Sequence, residues 1–141
     1  MKIVKQNLWE VDCDLRFVTT NSFIKKNGEL VMGRGAALEA KQRYPNLPFI
    51  AGKYITHLDI YGVMVLPGSG VHLFQVKYHW NECAMPGLIE HSFVKLHMFL
   101  EVYKGTVALN FPGIGNGQLA RADVLPIVER YSHDRITVCE L

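Results

Sequence analysis

Two glycine-rich stretches stand where an α/β protein can bind an anion. Gly33-Arg34-Gly35 follows the apolar run Leu15–Val18 across a polar segment and opens a predicted helix at Ala36. The first turn of a helix leaves backbone N–H groups without partners, and the positive end of the helix dipole adds to their attraction for phosphate. Gly33 and Gly35 lack the Cβ atoms that would hold an anion away from those groups.

The second stretch is Phe111–Leu119 (FPGIGNGQL), which follows the apolar run Thr106–Asn110 and precedes another predicted helix. Two such loops on one sheet predict a ligand that is bound from two sides. The dinucleotide fingerprint GxGxxG is not met, because Leu38 stands where the third glycine belongs. A P-loop is excluded because no Gly-Lys-Ser/Thr occurs.

Length and composition predict a single globular domain over 1–141, since 49% of the 141 residues are apolar and 20% are charged. A net charge of +2 does not by itself indicate a nucleic-acid partner, and the pair Lys25-Lys26 reads as a solvated loop tip. Cys13, Cys83 and Cys139 fit neither a disulfide framework nor a zinc motif, which favours a reducing cytoplasm. No signal peptide or membrane-spanning run is visible, so we expect a cytoplasmic protein with no membrane partner.

Hydrophobic periodicity predicts six strands and three helices, with Phe49–His57 left open between a short helix and an extended segment. The last helix is expected to begin at about Asp123, because Pro126 is tolerated only near a first turn. The predicted strands are Lys2–Asn7, Leu15–Thr20, Tyr61–Leu66, Val71–Lys77, Thr106–Asn110 and Arg135–Cys139, and the predicted helices are Ala36–Tyr44, Pro86–Lys104 and Asp123–Tyr131.

This order predicts a three-layer α/β/α sandwich with a mixed, mostly parallel sheet. In such folds the ligand site lies at the carboxyl ends of the parallel strands. Asn7, Asn21, Lys77 and Asn110 each stand at or just past a predicted strand end, so we expect them to converge.

The motifs Asn7-Leu8, VTTN (Val18–Asn21), VMGRGAAL (Val31–Leu38) and PGIGNGQL (Pro112–Leu119) resemble those of the macrodomain, an ADP-ribose-binding module. The segment FQVKYHW (Phe74–Trp80), followed by Leu88-Ile89-Glu90, is similar to a pattern of the subgroup that contains the DarG-type DNA ADP-ribosyl glycohydrolases. Terminal ADP-ribose protein glycohydrolases and ADP-ribose-1''-phosphate phosphatases are relatives of that subgroup. In this chain Gln75-Val76 replaces the Pro-Thr of the pattern.

The resemblance implies which residues bind each part of ADP-ribose. Asn7 and Leu8 would line the adenine end, although an acidic residue is more usual at the position of Asn7. Asn21 would hydrogen-bond the distal ribose; its alternative role is to form a turn after a strand. The two glycine loops would wrap the distal ribose and the pyrophosphate, through Gly33, Arg34, Gly35 and Ala36 on one side and Gly113, Ile114, Gly115, Asn116, Gly117 and Gln118 on the other.

By the same resemblance Lys77 is the catalytic lysine, with Asn21 beside it. Partial burial near N–H dipoles would lower the pKa of its amine, which could attack C1'' or stabilise charge as the glycosidic bond breaks. The alternative is an exposed lysine at a strand end. His79 reads as an acid–base group or, more readily, as a loop-packing residue, and Trp80 as packing against the start of the long helix rather than stacking on a base.

The function implied is therefore an ADP-ribosyl glycohydrolase that removes ADP-ribose from a macromolecule, with no cofactor or metal and as a monomer. Relatives that act on protein-linked ADP-ribose carry an aspartate in the second loop, whereas no carboxylate lies between Gly113 and Ala120 here. That difference favours DNA as the substrate, or binding without turnover. An ADP-ribose reader and an ADP-ribose-1''-phosphate phosphatase are the alternatives.

Overall fold

The computed structural model describes residues 2–56 and 58–141. Within them lie the strands β1 (Lys2–Val4), β2 (Leu15–Thr20), β3 (Val63–Met64), β4 (Val71–Gln75), β5 (Val107–Asn110) and β6 (Ile136–Cys139), and the helices α1 (Gly35–Arg43), α2 (Leu47–Ile55), α3 (Pro86–Val102) and α4 (Arg121–Arg130). Short 3₁₀ helices span Leu8–Glu10 and Gly115–Gly117.

The six strands form one sheet in the order β1-β6-β5-β2-β4-β3. Every neighbouring pair is parallel except β3 and β4, which are antiparallel. All five residues of β4 are buried, as expected for a central strand that is covered on both faces. The predicted mixed, mostly parallel sheet is confirmed.

Separate apolar clusters fill the two sides of the sheet. The cluster on one face includes Ala40 of α1 and Ala51 of α2, and the cluster on the other includes Phe93 of α3 and Val128 of α4. The four helices therefore form two outer layers around the sheet, which confirms the α/β/α sandwich.

Some predicted element boundaries differ from the observed ones for identifiable reasons. The segment that the sequence left open is helical over Leu47–Ile55, while position 57 lies outside the described residues. Helix α4 begins at Arg121, so the predicted start near Asp123 is wrong and Pro126 lies inside the helix. Ala122, whose carbonyl would otherwise accept from residue 126, is exposed and can bond to water instead.

Strand β3 is shorter than predicted because side chains of β4 bind its neighbouring backbone donors. The N–H groups of Tyr61 and Gly62 donate to Gln75 Oε1, at 2.8 and 3.1 Å. The N–H of Leu66 donates to His72 Nδ1 at 2.9 Å. These side chains replace the ladder acceptors of the N–H groups on both sides of Val63–Met64, while Gly62 O still accepts from Gln75 N at 2.7 Å.

The chain leaves β2 and its neighbour β5 toward opposite faces of the sheet, to α1 and α4 respectively. Adjacent strands whose connections diverge in this way leave a crevice at their carboxyl ends, where α/β proteins bind ligands. Among the described residues, no helix is long and apolar enough to cross a membrane.

Candidate functional site

A cavity of about 730 Å³ opens at the carboxyl ends of β2, β4 and β5. Its size falls within the range of small-molecule sites, roughly 300–1,000 Å³. It brings together twelve of the fourteen predicted site residues: Asn21, Gly33, Arg34, Gly35, Ala36, Lys77, Gly113, Ile114, Gly115, Asn116, Gly117 and Gln118.

One wall of the cavity is the start of α1. The first backbone donor bonded within this helix is the N–H of Leu38, which donates to Arg34 O. The N–H groups of Gly35, Ala36 and Ala37 precede it in the first turn and have no carbonyl to bind within the helix. All three residues line the cavity, so an anion there meets donors that are not otherwise used.

The opposite wall is the second glycine loop. Gly113 and Gly115 adopt positive φ angles of +81° and +63°, which few other residues tolerate. Gly113 O accepts from Leu119 N and Gly115 O from Gln118 N, each at 2.9 Å. Within residues 2–56 and 58–141, the N–H groups of Ile114, Gly115 and Asn116 donate to no acceptor. The carbonyls of Gly113 and Gly115 thus accept hydrogen bonds from within the loop, while these three N–H groups remain free.

The two glycine loops meet at Gly35. A Cβ on this residue would lie 3.0 Å from Asn116 Nδ2, and its φ angle is +58°. Both the backbone conformation and the approach of the second loop therefore require glycine at position 35. This contact confirms that the loops face each other across one cavity.

Positive charge is concentrated on the cavity wall. Lys25, Arg34 and Lys77 line it, and no carboxylate is among the described lining residues. The whole chain carries a net charge of only +2, so the charge at the cavity wall is more positive than that of the average protein surface. Free N–H groups and cations together favour an anionic ligand.

Asn21 is buried at the end of β2 and has structural partners. Its Oδ1 accepts from Phe23 N at 2.9 Å, which is the turn-forming bond that the sequence offered as an alternative, and its Nδ2 donates to Val31 O at 3.0 Å. The Tyr61 hydroxyl donates to Asn21 O at 2.7 Å and also contacts the Thr20 hydroxyl. One hydrogen of the Asn21 Nδ2 group and one lone pair of Oδ1 therefore remain without a partner among the described residues, on a side chain that lines the cavity.

Asn110 reaches the cavity too, whereas Asn7 and Leu8 do not line it. The Asn110 side chain accepts from Thr19 N at 3.0 Å and donates to Thr19 Oγ1 at 2.9 Å, which ties β5 to β2. Asn7 Oδ1 instead caps the 3₁₀ turn at Trp9 N, and Leu8 is buried in the core. The expected convergence of four strand-end residues holds for Asn21, Lys77 and Asn110.

Lys77 joins the β4 side of the cavity to the second glycine loop. Its Nζ donates to Trp80 O at 3.1 Å, to Glu82 O at 3.2 Å and to Asn116 O at 3.5 Å. Burial lowers the pKa of this amine below its ordinary value, and the nearby Arg34 charge acts in the same direction. Lys77 is partly buried and lines the cavity two residues past the end of β4.

Aromatic side chains form the rim of the cavity beside Lys77. The His79 ring lies 4.4 Å from the Phe23 ring and 5.3 Å from the Trp80 ring, measured between centroids. His79 therefore packs between loops, as the sequence favoured. Trp80 differs from the expectation, because its indole lies against His79 at the cavity mouth and 49% of the residue is exposed.

Sequence reasoning missed several lining residues, among them Lys25, Phe23 and Val31. Lys25 is exposed, as expected for a solvated loop tip, and it also lines the cavity, because Ile24 and Leu30 form an antiparallel bridge that folds the segment into a small hairpin beside it. The sequence signal for that hairpin is Gly28, which forms its turn with a φ angle of +91°. Within the described residues, no group of three or more His, Cys, Asp or Glu side chains could hold a metal ion.

No protein-family model matches the sequence, and no curated protein sequence matches it. The structure is similar to the macrodomain of Thermus aquaticus DarG, with a TM-score of 0.79 and 22% identity over 98% of this chain and 95% of that one. The macrodomain of Mycobacterium tuberculosis DarG gives 0.77 and 22% over 99% and 97%. Thermosipho africanus DarTG, solved in complex with ADP-ribose, gives 0.79 and 17% over 97% of this chain and 40% of that one.

Proposed function

We propose that this chain, which has the macrodomain fold, binds ADP-ribose and removes it from a macromolecule, with DNA as the substrate class. The fold is common to it and to the DarG macrodomains, one relative of which was solved with ADP-ribose. The proposal also draws on the resemblance of Phe74–Trp80 to the DNA ADP-ribosyl glycohydrolases.

The observation that carries the proposal is the pair of facing donor loops. The unused N–H groups of the first turn of α1 and of Ile114–Asn116 line opposite walls of one cavity that also holds three cations. A pyrophosphate carries two negative charges over several oxygens, so it can accept from both walls at once. Lys77 and Asn21 then lie beside the sugar that follows the pyrophosphate.

In the proposed reaction, Lys77 acts on the bond between C1'' and the macromolecule. The leaving atom takes a proton from the Lys77 ammonium as that bond breaks, and water adds its oxygen to C1''. The water then returns one proton to the amine, which leaves ADP-ribose and the unmodified macromolecule as products. Asn21, through its remaining amide hydrogen, orients the distal ribose.

The test combines calorimetry with a product assay. Free ADP-ribose should bind in calorimetry, and the protein should release ADP-ribose from ADP-ribosylated DNA faster than from an ADP-ribosylated protein. A third arm with ADP-ribose-1''-phosphate detects phosphate release by a phosphatase. If ADP-ribose binds nowhere, or binds outside this cavity in a soaked crystal, the proposal is wrong.

A second candidate function is an ADP-ribose reader, which one feature of the site favours. The three N–H groups of the Lys77 ammonium already donate to three backbone carbonyls, and the second loop supplies no carboxylate to activate water. A reader would bind ADP-ribose and DNA-linked ADP-ribose with no release in the product assay.

A further inference from the structure

We propose that the aromatic rim, formed by Phe23, His79 and Trp80, stacks on a base of the single-stranded nucleic acid that carries the ADP-ribose. This inference rests on the proposed function and names the part of the substrate that lies outside the cavity. It assigns the rim to the strand and the cavity to ADP-ribose.

Two segments far apart in the sequence are fixed together to build the rim. Ser22 N donates to Tyr78 O at 3.0 Å, and Ser22 Oγ donates to the same oxygen at 3.3 Å. His79 N donates to Glu82 Oε1 at 2.9 Å, which holds the second segment in place. With the His79 ring packed between them, the residues Phe23 and Trp80 remain 38% and 49% exposed.

The rim lies at the reacting end of the cavity, because the backbone of each exposed aromatic residue is hydrogen-bonded to a proposed catalytic residue. Phe23 N donates to Asn21 Oδ1 at 2.9 Å, and Trp80 O accepts from Lys77 Nζ at 3.1 Å. Phe23 and Trp80 also line the cavity itself. In the proposed binding mode, a group attached to the sugar between Asn21 and Lys77 leaves the cavity past these residues.

The charged residues around the rim indicate which kind of macromolecule is attached to the sugar. Lys25 and Arg34 are exposed and line the same cavity. Cations beside exposed aromatic faces are the combination that binds single strands, in which bases stack and phosphates pair with basic side chains. The Glu82 carboxylate, which is bonded to the rim, accepts there from the backbone N–H of His79. A nucleic-acid strand fits this surface better than an acidic peptide, which has no bases to stack.

The experiment measures release of ADP-ribose from a short single-stranded DNA oligonucleotide that carries it. Trp80→Ala should lower kcat/KM by roughly 5- to 100-fold, the range for loss of one stacked base, and Phe23→Ala should also lower it. Binding of free ADP-ribose, measured by calorimetry, should weaken by a clearly smaller factor than kcat/KM on the DNA substrate does. Phe49→Ala and Tyr54→Ala are matched controls, since both residues are 48% exposed on α2 and neither lines the cavity.

A second readout tests the rim without turnover. An unmodified single-stranded oligonucleotide should quench the part of the tryptophan fluorescence that comes from Trp80 and is missing in Trp80→Ala, which retains Trp9, and the quenching should weaken with salt. If the rim variants match Phe49→Ala on the DNA substrate and no quenching occurs, the inference is wrong. It is also wrong if the rim variants reduce release from protein as much as from DNA. Failure of wild type to bind ADP-ribose would overturn the proposed function instead, and the quenching would still test the rim.

Discussion

At the scale of single residues, Lys77 combines two influences on its protonation. Burial and the Arg34 charge lower the pKa of the amine, while its three backbone carbonyl partners favour the charged form. Because those carbonyls accept three hydrogens, the structure favours an ammonium over a free amine that attacks C1''. To protonate the leaving atom, the ammonium must give up one of these bonds, of which the contact to Asn116 O at 3.5 Å is the longest. The two mechanisms require opposite protonation states, so they predict opposite dependence on pH.

If Lys77 is the proton donor, kcat for DNA-linked ADP-ribose should fall as pH rises through a pKa that lies below the ordinary value of 10.5. Lys77→Met should lose about 100-fold or more in kcat, the range for a general acid, while ADP-ribose affinity, which loses one of the three cations on the cavity wall, should fall much less. Lys77→Arg keeps its charge at all these pH values, so any residual activity should lack the alkaline fall. Initial rates from pH 6 to 10 provide the measurement.

A rise of kcat with pH would contradict the proton-donor mechanism and indicate the neutral amine. Cyanoborohydride trapping of a covalent adduct between Lys77 and the sugar, detected by mass spectrometry, would identify the amine as a nucleophile.

Residue types close to a strand end were predictable from the sequence, but their surroundings were not. Asn21, Lys77 and Asn110 follow strands whose carboxyl ends meet, so the pattern of apolar runs sufficed to place them at one site. Lys25 and Trp80 reach the cavity through contacts between distant segments, such as the His79 ring packed between Phe23 and Trp80. No local pattern specifies such contacts, since they depend on how two loops dock.

At the scale of elements, the second glycine loop provides a direct test of the anion site. Gly115 and Gly68 have similar φ angles, +63° and +73°, and an added Cβ at either would meet no atom within 4 Å. Gly115 lines the cavity, whereas Gly68 lies in the turn between β3 and β4, away from it. The two positions therefore share the same backbone strain and differ in their relation to the ligand.

Gly115→Ala and Gly68→Ala should each lower the free energy of unfolding by about 1–2 kcal/mol, because alanine is strained at positive φ. Only Gly115→Ala places a methyl group on the wall that would contact the pyrophosphate, so it should weaken ADP-ribose binding by about tenfold or more. Urea unfolding and calorimetry on both variants provide the measurements. Equal affinities in the two variants would mean that this loop does not contact the ligand.

Element types were predictable here wherever hydrophobic periodicity was long, as in α3, where the predicted Pro86–Lys104 compares with the observed Pro86–Val102. The boundaries of β3 and α4 depended on interactions that the local pattern does not contain. Gln75 and His72 bind backbone donors around β3, and Pro126 lies inside α4 where Ala122, one turn before it, is exposed to water. Each case is a tertiary or solvent effect that overrides local propensity.

At the scale of the whole molecule, the sheet separates two apolar cores, and polar groups inside them must be satisfied or neutral. His72 on β4 is such a group, since it is 3% exposed and its ring lies 5.4 Å from that of Phe17. Its Nδ1 accepts from Leu66 N, which requires a neutral ring nitrogen there. Burial lowers the pKa of His72 from 6.5 to about 4.

This lowered pKa makes the stability of the whole fold depend on pH. Above 6.5 the imidazole is neutral in both states and contributes no pH dependence, whereas below 6.5 only the unfolded chain takes up the proton. The free energy of unfolding should therefore fall by about 2 kcal/mol between pH 7 and pH 5 on account of His72. His72→Asn keeps an acceptor for Leu66 N but does not titrate, so it should be less stable at pH 7 and lack this part of the decline.

His133, whose pKa is lowered chiefly by partial burial, titrates in both proteins, so the difference between their urea-unfolding curves at pH 7 and pH 5 isolates His72. Parallel declines in wild type and His72→Asn would show that His72 is protonated in the fold, and that the Leu66 contact does not hold its ring neutral.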